Sequence, residues 1–314
     1  STRAKNYSVR GNVSKDVLEE STIEFGLRLD TSKQEMARSK ANSYPFLNPP
    51  FQAAVSPTSL SETYDWMSAN VGFLHPLSDT LGLSINSSVS SKPGGFSAYL
   101  DPGSGKSEKF GREKNWATDI GLSLQPSDQT GFSITAYINK IDDHQFEMPI
   151  PLSTDYYVTN AEEATVKGLE IEGFFKPADG FTFTAAYGLC ESEYDKFSDL
   201  TGLVGKQLSF VPRSTLNLSL SYENESGLHA QLGTRTIGKT HYWNNTGTNN
   251  SDIQDTYTTL QANIGHKIND FEINVFGTNL TDEEYYSTLV SSLTGSPGVV
   301  GSPRVIGLSI SREF

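Results

Sequence analysis

What the sequence lacks narrows its class. A single cysteine, Cys190, allows no internal disulfide and no cysteine-based zinc site. No uninterrupted apolar run approaches the ~18 residues that a membrane-spanning helix needs. Cations are outnumbered, 24 Lys and Arg against 37 Asp and Glu for a net charge of −13, and no basic run breaks that balance. Phosphate binding depends on clustered cations, so nucleic acid is excluded as a partner. The chain begins at Ser1 without an initiator methionine or a charged-then-apolar leader, as expected of a processed chain or a piece of a longer one. Aromatics are not scarce, at 11%, and their regular spacing argues against disorder.

What is present is a period of two. Residues 215–222 read Thr-Leu-Asn-Leu-Ser-Leu-Ser-Tyr, with Leu216, Leu218, Leu220 and Tyr222 on one face and Thr215, Asn217, Ser219 and Ser221 on the other. A strand sends successive side chains to opposite faces in this way. The same alternation sets Ile23, Phe25, Leu27 and Leu29 against Glu24, Gly26, Arg28 and Asp30. It sets Phe132, Ile134, Ala136 and Ile138 against Ser133, Thr135, Tyr137 and Asn139, and returns around Phe271 and Ile306. No window sustains the helical period of 3.6. The chain reads as all-β.

Thirteen strands are expected, near 5–14, 21–32, 62–74, 81–91, 114–125, 131–146, 163–176, 180–193, 208–223, 227–241, 256–267, 270–280 and 302–314. Most run to about ten residues or more, beyond the ~5–6 usual in soluble sheets and close to the ~9–11 of tilted membrane strands. The connections alternate between two kinds. Short turns rich in Pro, Asp, Asn, Ser and Gly fall at 13–20, 75–80, 125–130, 176–179, 223–226 and 266–269, as tight turns require. Long polar loops fall at 33–61, 92–113, 147–162, 194–207, 242–255 and 281–301. An antiparallel transmembrane β-barrel sorts its connections like this, short at one end and long at the other.

The two faces fit the same architecture. The polar face carries Glu24, Arg28, Glu170 and Glu172 among Ser, Thr and Asn, a set too costly to bury in a packed core. A wet lumen on that side and lipid on the apolar side remove the cost. Phe73, Phe132, Phe175, Phe181, Tyr222 and Phe271 stand beside the short turns, where an interfacial girdle belongs. A soluble sandwich or β-helix would need strand length, loop sorting and girdle to coincide without cause.

Several segments point to one family. Gly277-Thr278-Asn279-Leu280-Thr281-Asp282-Glu283-Glu284-Tyr285, followed by Gly301-Ser302-Pro303-Arg304-Val305-Ile306-Gly307-Leu308 and a terminal Phe314, resembles the closing strands of TonB-dependent outer-membrane receptors. Lys92-Pro93-Gly94-Gly95-Phe96, Asn160-Ala161 with Val166-Lys167-Gly168-Leu169-Glu170-Ile171-Glu172, and Phe210-Val211-Pro212-Arg213 are similar to further segments of siderophore-type members. The resemblance implies a barrel of about 22 strands around an N-terminal plug, with the short turns facing the periplasm. Thirteen is odd, and such barrels close with an even number. Residues 1–314 are therefore expected to be the C-terminal part of the barrel, strands ten to twenty-two, without the plug, the energy-coupling box or the first nine strands.

The resemblance also implies function. It suggests energy-coupled uptake of a ferric siderophore, or of cobalamin, haem, a nickel complex or an oligosaccharide, across the outer membrane of a Gram-negative cell. Partners would be outer-membrane lipid, the TonB complex through an N-terminal region, and the barrel-assembly machinery, which would read Ile306, Leu308, Ile310 and Phe314 as its signal. Arg312 interrupts that apolar series and is expected to snorkel to head groups. The alternative is a passive porin-like or structural barrel.

Catalytic signatures fail. Pro102-Gly103-Ser104-Gly105-Lys106-Ser107 lacks the first glycine of a phosphate loop, which would fall at Leu100, and no helix is expected after it. His75, His144, His229, His241 and His266 show no metal spacing, with His75 and His266 expected in solvated turns. The pairs Asp142-Asp143, Glu162-Glu163 and Glu283-Glu284 read as rim charges, and Cys190 as a wall residue. No cofactor, metal site or enzyme activity is expected. The candidate ligand contacts are Tyr156, Tyr157, Tyr242, Trp243, Tyr285 and Tyr286, aromatics at the long-loop end that could grip an amphipathic ligand or form the second girdle.

Overall fold

The computed structural model describes residues 2–18, 20–44, 51–97, 109–149, 156–243, 251–289 and 298–312; within these, the side chains of 18, 38–44, 51–58, 148, 149, 156, 243 and 251 are left aside. In chain order the strands are β1 (Thr2–Leu18), β2 (Ser21–Tyr44), β3 (Phe51–Ser78), β4 (Leu81–Lys92), β5 (Gly95–Phe96), β6 (Lys109–Phe110) and β7 (Glu113–Ser127). Then come β8 (Thr130–Pro149), β9 (Tyr156–Phe175), β10 (Phe181–Lys196) and a 3-10 turn at Thr201–Leu203. The chain continues through β11 (Ser214–Glu223), β12 (Leu228–Ile237), β13 (Thr240–Trp243), β14 (Ser251–Gln254) and β15 (Tyr257–Ile268). It ends with β16 (Phe271–Thr278), β17 (Tyr286–Leu289), β18 (Gly298–Val300) and β19 (Val305–Arg312).

Thirteen of these form one sheet in the order β1-β2-β3-β4-β7-β8-β9-β10-β11-β12-β15-β16-β19, every neighbour antiparallel and next in sequence apart from the short ribbons. The expected number of strands and their sorted connections are both present. Among the described residues β1 pairs only with β2 and β19 only with β16, so the sheet has two open edges.

Register carries the alternation from strand to strand. Ile134, Ile171, Tyr187 and Leu216 are successive partners across β8 to β11, all on the apolar face. One residue along, Ser133, Glu172, Ala186, Asn217, Arg235 and Thr259 make a polar row through β15. A slip of one residue would exchange the two faces of a strand. Val9, Ile264, Leu308 and many other large apolar side chains of the first face are more than half exposed, which water would not tolerate over so wide a surface. Phe132, Phe175, Phe181 and Phe271 stand on the same face beside the short turns, with Phe181 against Tyr222 at 4.6 Å.

The structure differs from expectation chiefly at the long-connection end, the mouth. The expected loop 33–61 is mostly hairpin, since β2 and β3 remain paired from Met36–Leu60 to Tyr44–Phe51. The loop 147–162 shrinks to 150–155 because β8 and β9 pair out to Pro149–Tyr156. Three of the other four loops carry two-stranded ribbons, β5–β6, β13–β14 and β17–β18, while 194–207 carries the 3-10 turn. In each hairpin and ribbon polar sequence hid a ladder whose partners lie across the connection. Conversely, β11 starts at Ser214, not 208, because Phe210 has a left-handed φ of 66° and Pro212 has no N–H to offer a ladder. His75 and His266 lie in β3 and β15, not in turns; His75 Nδ1 meets the buried Ser21 Oγ at 2.8 Å.

Candidate ligand-binding mouth

Three groups of side chains organise the mouth. The first is a dry cluster on the polar-face side of β8, β9 and β10, built from Phe146, Tyr157, Ala161, Ala164, Tyr194 and Phe197 and closed by Leu203 and Leu208 from the β10–β11 connection. Ala161 and Tyr194 are at most 1% exposed. Phe146 meets Tyr194 and Phe197 edge-on at 5.7 and 5.3 Å, a favourable aromatic geometry. The strands reach this packing by a sidestep at Asp143, which has a φ of 56°: Ile141 and Phe146, an odd number apart, both turn to the cluster. The β10–β11 connection is thus a folded cap.

The second group is a set of polar ties between connections. Asn160 Oδ1 accepts from Gly111 N at 2.7 Å, and its Nδ2 donates to the carbonyls of Gly111 and Asp143. Glu113 Oε2 meets His144 Nδ1 at 3.0 Å and accepts from Gln145 N at 2.8 Å. Burial pushes the Glu113 carboxyl up, but those hydrogen bonds outweigh it and leave its pKa below the ordinary value. On the far side Lys109 pairs with Glu62 at 2.6 Å, and a Cβ on Gly94 would strike the Phe110 carbonyl. Together these bonds fix the β4–β7 connection between β3 and β9.

The third group lies at the mouth ends of β11, β12 and β15. Arg213 N donates to Lys239 O at 3.2 Å and Cys190 N to Arg213 O at 2.8 Å, which continues the register of the sheet and puts Arg213 and Lys239 on the polar face. Arg235 is on that face opposite Asn217 and Thr259, and Tyr257 opposite Ile237. Tyr257 stacks on Tyr285 at 4.2 Å and 12°. Phe210, held in its left-handed conformation, packs edge-on to Tyr242 at 5.0 Å. Beside it, burial lowers the His241 pKa, and Lys239, Arg213 and Lys206 lower it further: this corner is locally positive in an acidic chain.

Of the candidate ligand contacts, Tyr242 and Tyr285 join this third group. Tyr157, in the dry cluster, and Tyr242, against Phe210, are both buried, each 6% exposed. Tyr286 is half exposed, its N–H bound to Gln254 Oε1 at 2.8 Å. The side chains of Tyr156 and Trp243, the terminal Phe314 and the segment 102–107 lie outside the described residues. Ile306, Leu308 and Ile310 share the apolar face of β19, each over 60% exposed. Arg312 stacks on Phe271 and reaches Asp270 at 3.9 Å. Sequence reading missed Phe210, Arg213, Arg235, Lys239 and Tyr257. The one signal for them was the Phe210-Val211-Pro212-Arg213 segment itself, since register alone brings the others beside it.

The segments that resembled a family serve to hold the mouth. Asn279 Oδ1 accepts from Glu283 N at 2.9 Å and Nδ2 donates to Ser302 O at 3.0 Å. Asp282 accepts from Arg304 N at 2.9 Å. Each stitches the β16–β17 turn to the segment before β19.

A one-sheet wall with an apolar outer face, a hydrated inner face and sorted connections is the architecture of an outer-membrane barrel. Residues 1–280 match the family described as TonB dependent receptor-like, beta-barrel, and the chain belongs to that family. It is 25% identical over 228 residues to the pesticin receptor of Yersinia pestis, covering 71% of this chain and 32% of that protein; the chain thus spans about a third of the length of the curated relatives it matches. Among solved structures, that of the ferric yersiniabactin uptake receptor FyuA from Yersinia pestis superposes with a TM-score of 0.80 at 19% identity, covering 100% of this chain and 46% of that one. The ferric-catecholate import receptor Fiu from K12 E. coli gives 0.75 at 17% identity, covering 98% and 44%. A copper transporter, OprC, gives 0.74 at 15% identity, covering 100% and 50%. The family is one of outer-membrane transport receptors rather than enzymes.

Proposed function

We propose that this chain is the C-terminal wall of a receptor that imports a ferric siderophore through the outer membrane, powered by the TonB complex. Residues 1–314 would supply strands ten to twenty-two of a barrel. The plug, the energy-coupling box and the first nine strands would come from elsewhere in the full gene product. The barrel-assembly machinery would read β19 and the terminal Phe314, and lipid would cover the apolar face.

The observation that carries this reading is the half-buried Tyr257–Tyr285 stack, with Tyr257 on the inner side of the mouth opposite Ile237. Flat, partly buried rings with polar tips suit a large amphipathic chelate. A passive pore needs no such platform. Uptake of radiolabelled ferric siderophore by iron-starved cells carrying or lacking the gene tests it. Uptake should vanish with the gene and with the proton-motive force; uptake that survives collapse of that force would establish a passive pore instead.

A further inference from the structure

We propose that Lys114, Lys140 and Lys167, on the lipid-facing side of the wall at the mouth end, bind the phosphate groups of an outer-leaflet glycolipid, the lipid A part of lipopolysaccharide. The site is on the opposite face of the sheet from any cargo. It therefore goes beyond the uptake reading and stands or falls apart from it.

Three consecutive strands of the sheet each place a lysine as the first outward side chain beyond the apolar band. Moving toward the mouth, Lys114 comes after Trp116 on β7, Lys140 after Ile138 on β8 and Lys167 after Leu169 on β9. Register puts them on one face, with Trp116 opposite Lys140 and Ile138 opposite Lys167. Each lysine is thus set two residues lower than its neighbour, and the row runs diagonally to the ladder. That diagonal is the edge of the apolar band itself, as a membrane plane cuts tilted strands. Diagonal neighbours of this kind stand roughly 7–8 Å apart. Lys114 lies over the Trp116 ring at 4.3 Å, a cation and an aromatic at head-group height.

The row is local and its charges are available. The same first position is Asp65 on β3, Ser91 on β4, Glu191 on β10 and Ser214 on β11. Lys5 and Lys33 on β1 and β2 stand one step further out, and Lys33 is tied to Glu35 at 2.7 Å. Among the described residues Lys114 and Lys140 have no carboxylate at ion-pair distance. Lys167 reaches Glu191 at 3.4 Å, but both side chains are more than half exposed, where water and salt weaken such a pair. Asp142 follows Lys140 outward and faces Glu163, so the cations border the lipid and the carboxylates stand beyond them, toward water. Long connections face the cell exterior, and the leaflet at that height in a Gram-negative outer membrane is lipopolysaccharide. Its lipid A offers acyl chains to cover Ile120, Ile138 and Leu169 and a phosphate at either end of its sugar pair. A spaced row of ammonium groups meets both phosphates, and the attraction is strengthened beside hydrocarbon. A phospholipid has one phosphate and engages only part of the row.

The test uses the full-length receptor in detergent and native mass spectrometry to measure binding of diphosphoryl lipid A and of phosphatidylglycerol. The wild type should bind lipid A at least tenfold more tightly, and inorganic phosphate in large excess should fail to displace it. The variant K114Q/K140Q/K167Q should lose tenfold or more of that affinity. K15Q/K176Q/K267Q removes as much charge at the short-turn end of the wall and should lose none. Heat-shifted electrophoretic mobility checks that each variant is a folded barrel. K140Q alone, which should lose severalfold, replaces the triple variant should that one fail the check. Undiminished binding by the neutralised row, or an equal loss in the short-turn variant, would overturn the site. Equal affinity for phosphatidylglycerol would overturn the choice of glycolipid, and displacement by inorganic phosphate would reduce the row to a free-phosphate site.

Discussion

The ring of Tyr285 lies across Gly301 so closely that a Cβ on residue 301 would collide with its outer edge, and the same ring stacks on Tyr257. Gly301 N donates to Tyr285 O at 2.7 Å, which locks the backbones together as well. Gly301→Ala should therefore force the ring off its platform and cost about 1–3 kcal/mol, the usual penalty of overpacking. Tyr285→Ala in the same background should recover most of that loss, because the clash disappears with the ring. Reversible unfolding of the four proteins of this cycle in lipid vesicles measures it. Additive losses would mean that the ring is free to move aside.

Asn160 serves Gly111 twice, as acceptor for its N–H and donor to its carbonyl. Asn160→Ala strips both and leaves the Asp143 carbonyl without its donor as well. A loss of about 0.5–1.5 kcal/mol is expected, the net worth of a hydrogen bond whose partners water can still reach. The effect should be local: amide exchange at Gly111 should accelerate while the amides of β15 and β16 keep their protection. Uniform acceleration throughout the sheet would show that Asn160 supports the whole wall.

The wall was legible in the sequence and the mouth was not, for a physical reason. Alternation such as Leu216-Asn217-Leu218 is imposed by contact with two different media, so each strand records its own faces. Thirteen strands could be read in this way, one at a time. Tyr157 and Tyr242 look alike in sequence, each in a pair of adjacent aromatics near a strand end. Both are buried, but Phe197 and Leu208 share the cluster of one and Phe210 packs on the other, and these partners come from a connection with no period. The cations Arg213, Arg235 and Lys239 are dispersed in sequence and converge only through the β11–β12 register. The family resemblance fared better than the residue logic here, since Asn160, Asn279 and Gly301 are residues that fold the mouth.

Acid should loosen the β4–β7 connection. The Glu113 carboxyl has its pKa below the ordinary value of 4.5, so its bonds to His144 and Gln145 stabilise the folded mouth above that value. The contribution shrinks as pH falls through the lower folded value, where the carboxyl takes up a proton. Glu113→Gln should be less stable near neutrality, and its local stability should no longer fall over that acidic window. Exchange of the Gln145 amide, read between neutral pH and the acidic side of the carboxylate range, reports the change. A wild-type and variant pair with parallel pH profiles would assign the loosening to other carboxylates.

Neighbouring residues in β11 give the sharpest test of which face meets lipid. Leu218 lies on the apolar face between Ala185 and Thr234, and Asn217 on the polar face between Ala186 and Arg235. An arginine placed against hydrocarbon near mid-membrane costs about 2–4 kcal/mol, and one in a wet lumen far less. Leu218→Arg should therefore destabilise the assembled receptor in bilayers by about that amount. Asn217→Arg should cost less, although the nearby Arg235 adds some like-charge repulsion; Asn217→Lys in 0.5 M salt, about where exposed repulsion is largely screened, removes that complication. Because the two positions are adjacent, share strand partners and differ only in the side of the ribbon they occupy, strand propensity and depth cancel in the comparison. Equal penalties in vesicle unfolding would mean that both faces see the same medium, and the outward assignment of Leu216, Leu218 and Leu220 would have to be abandoned.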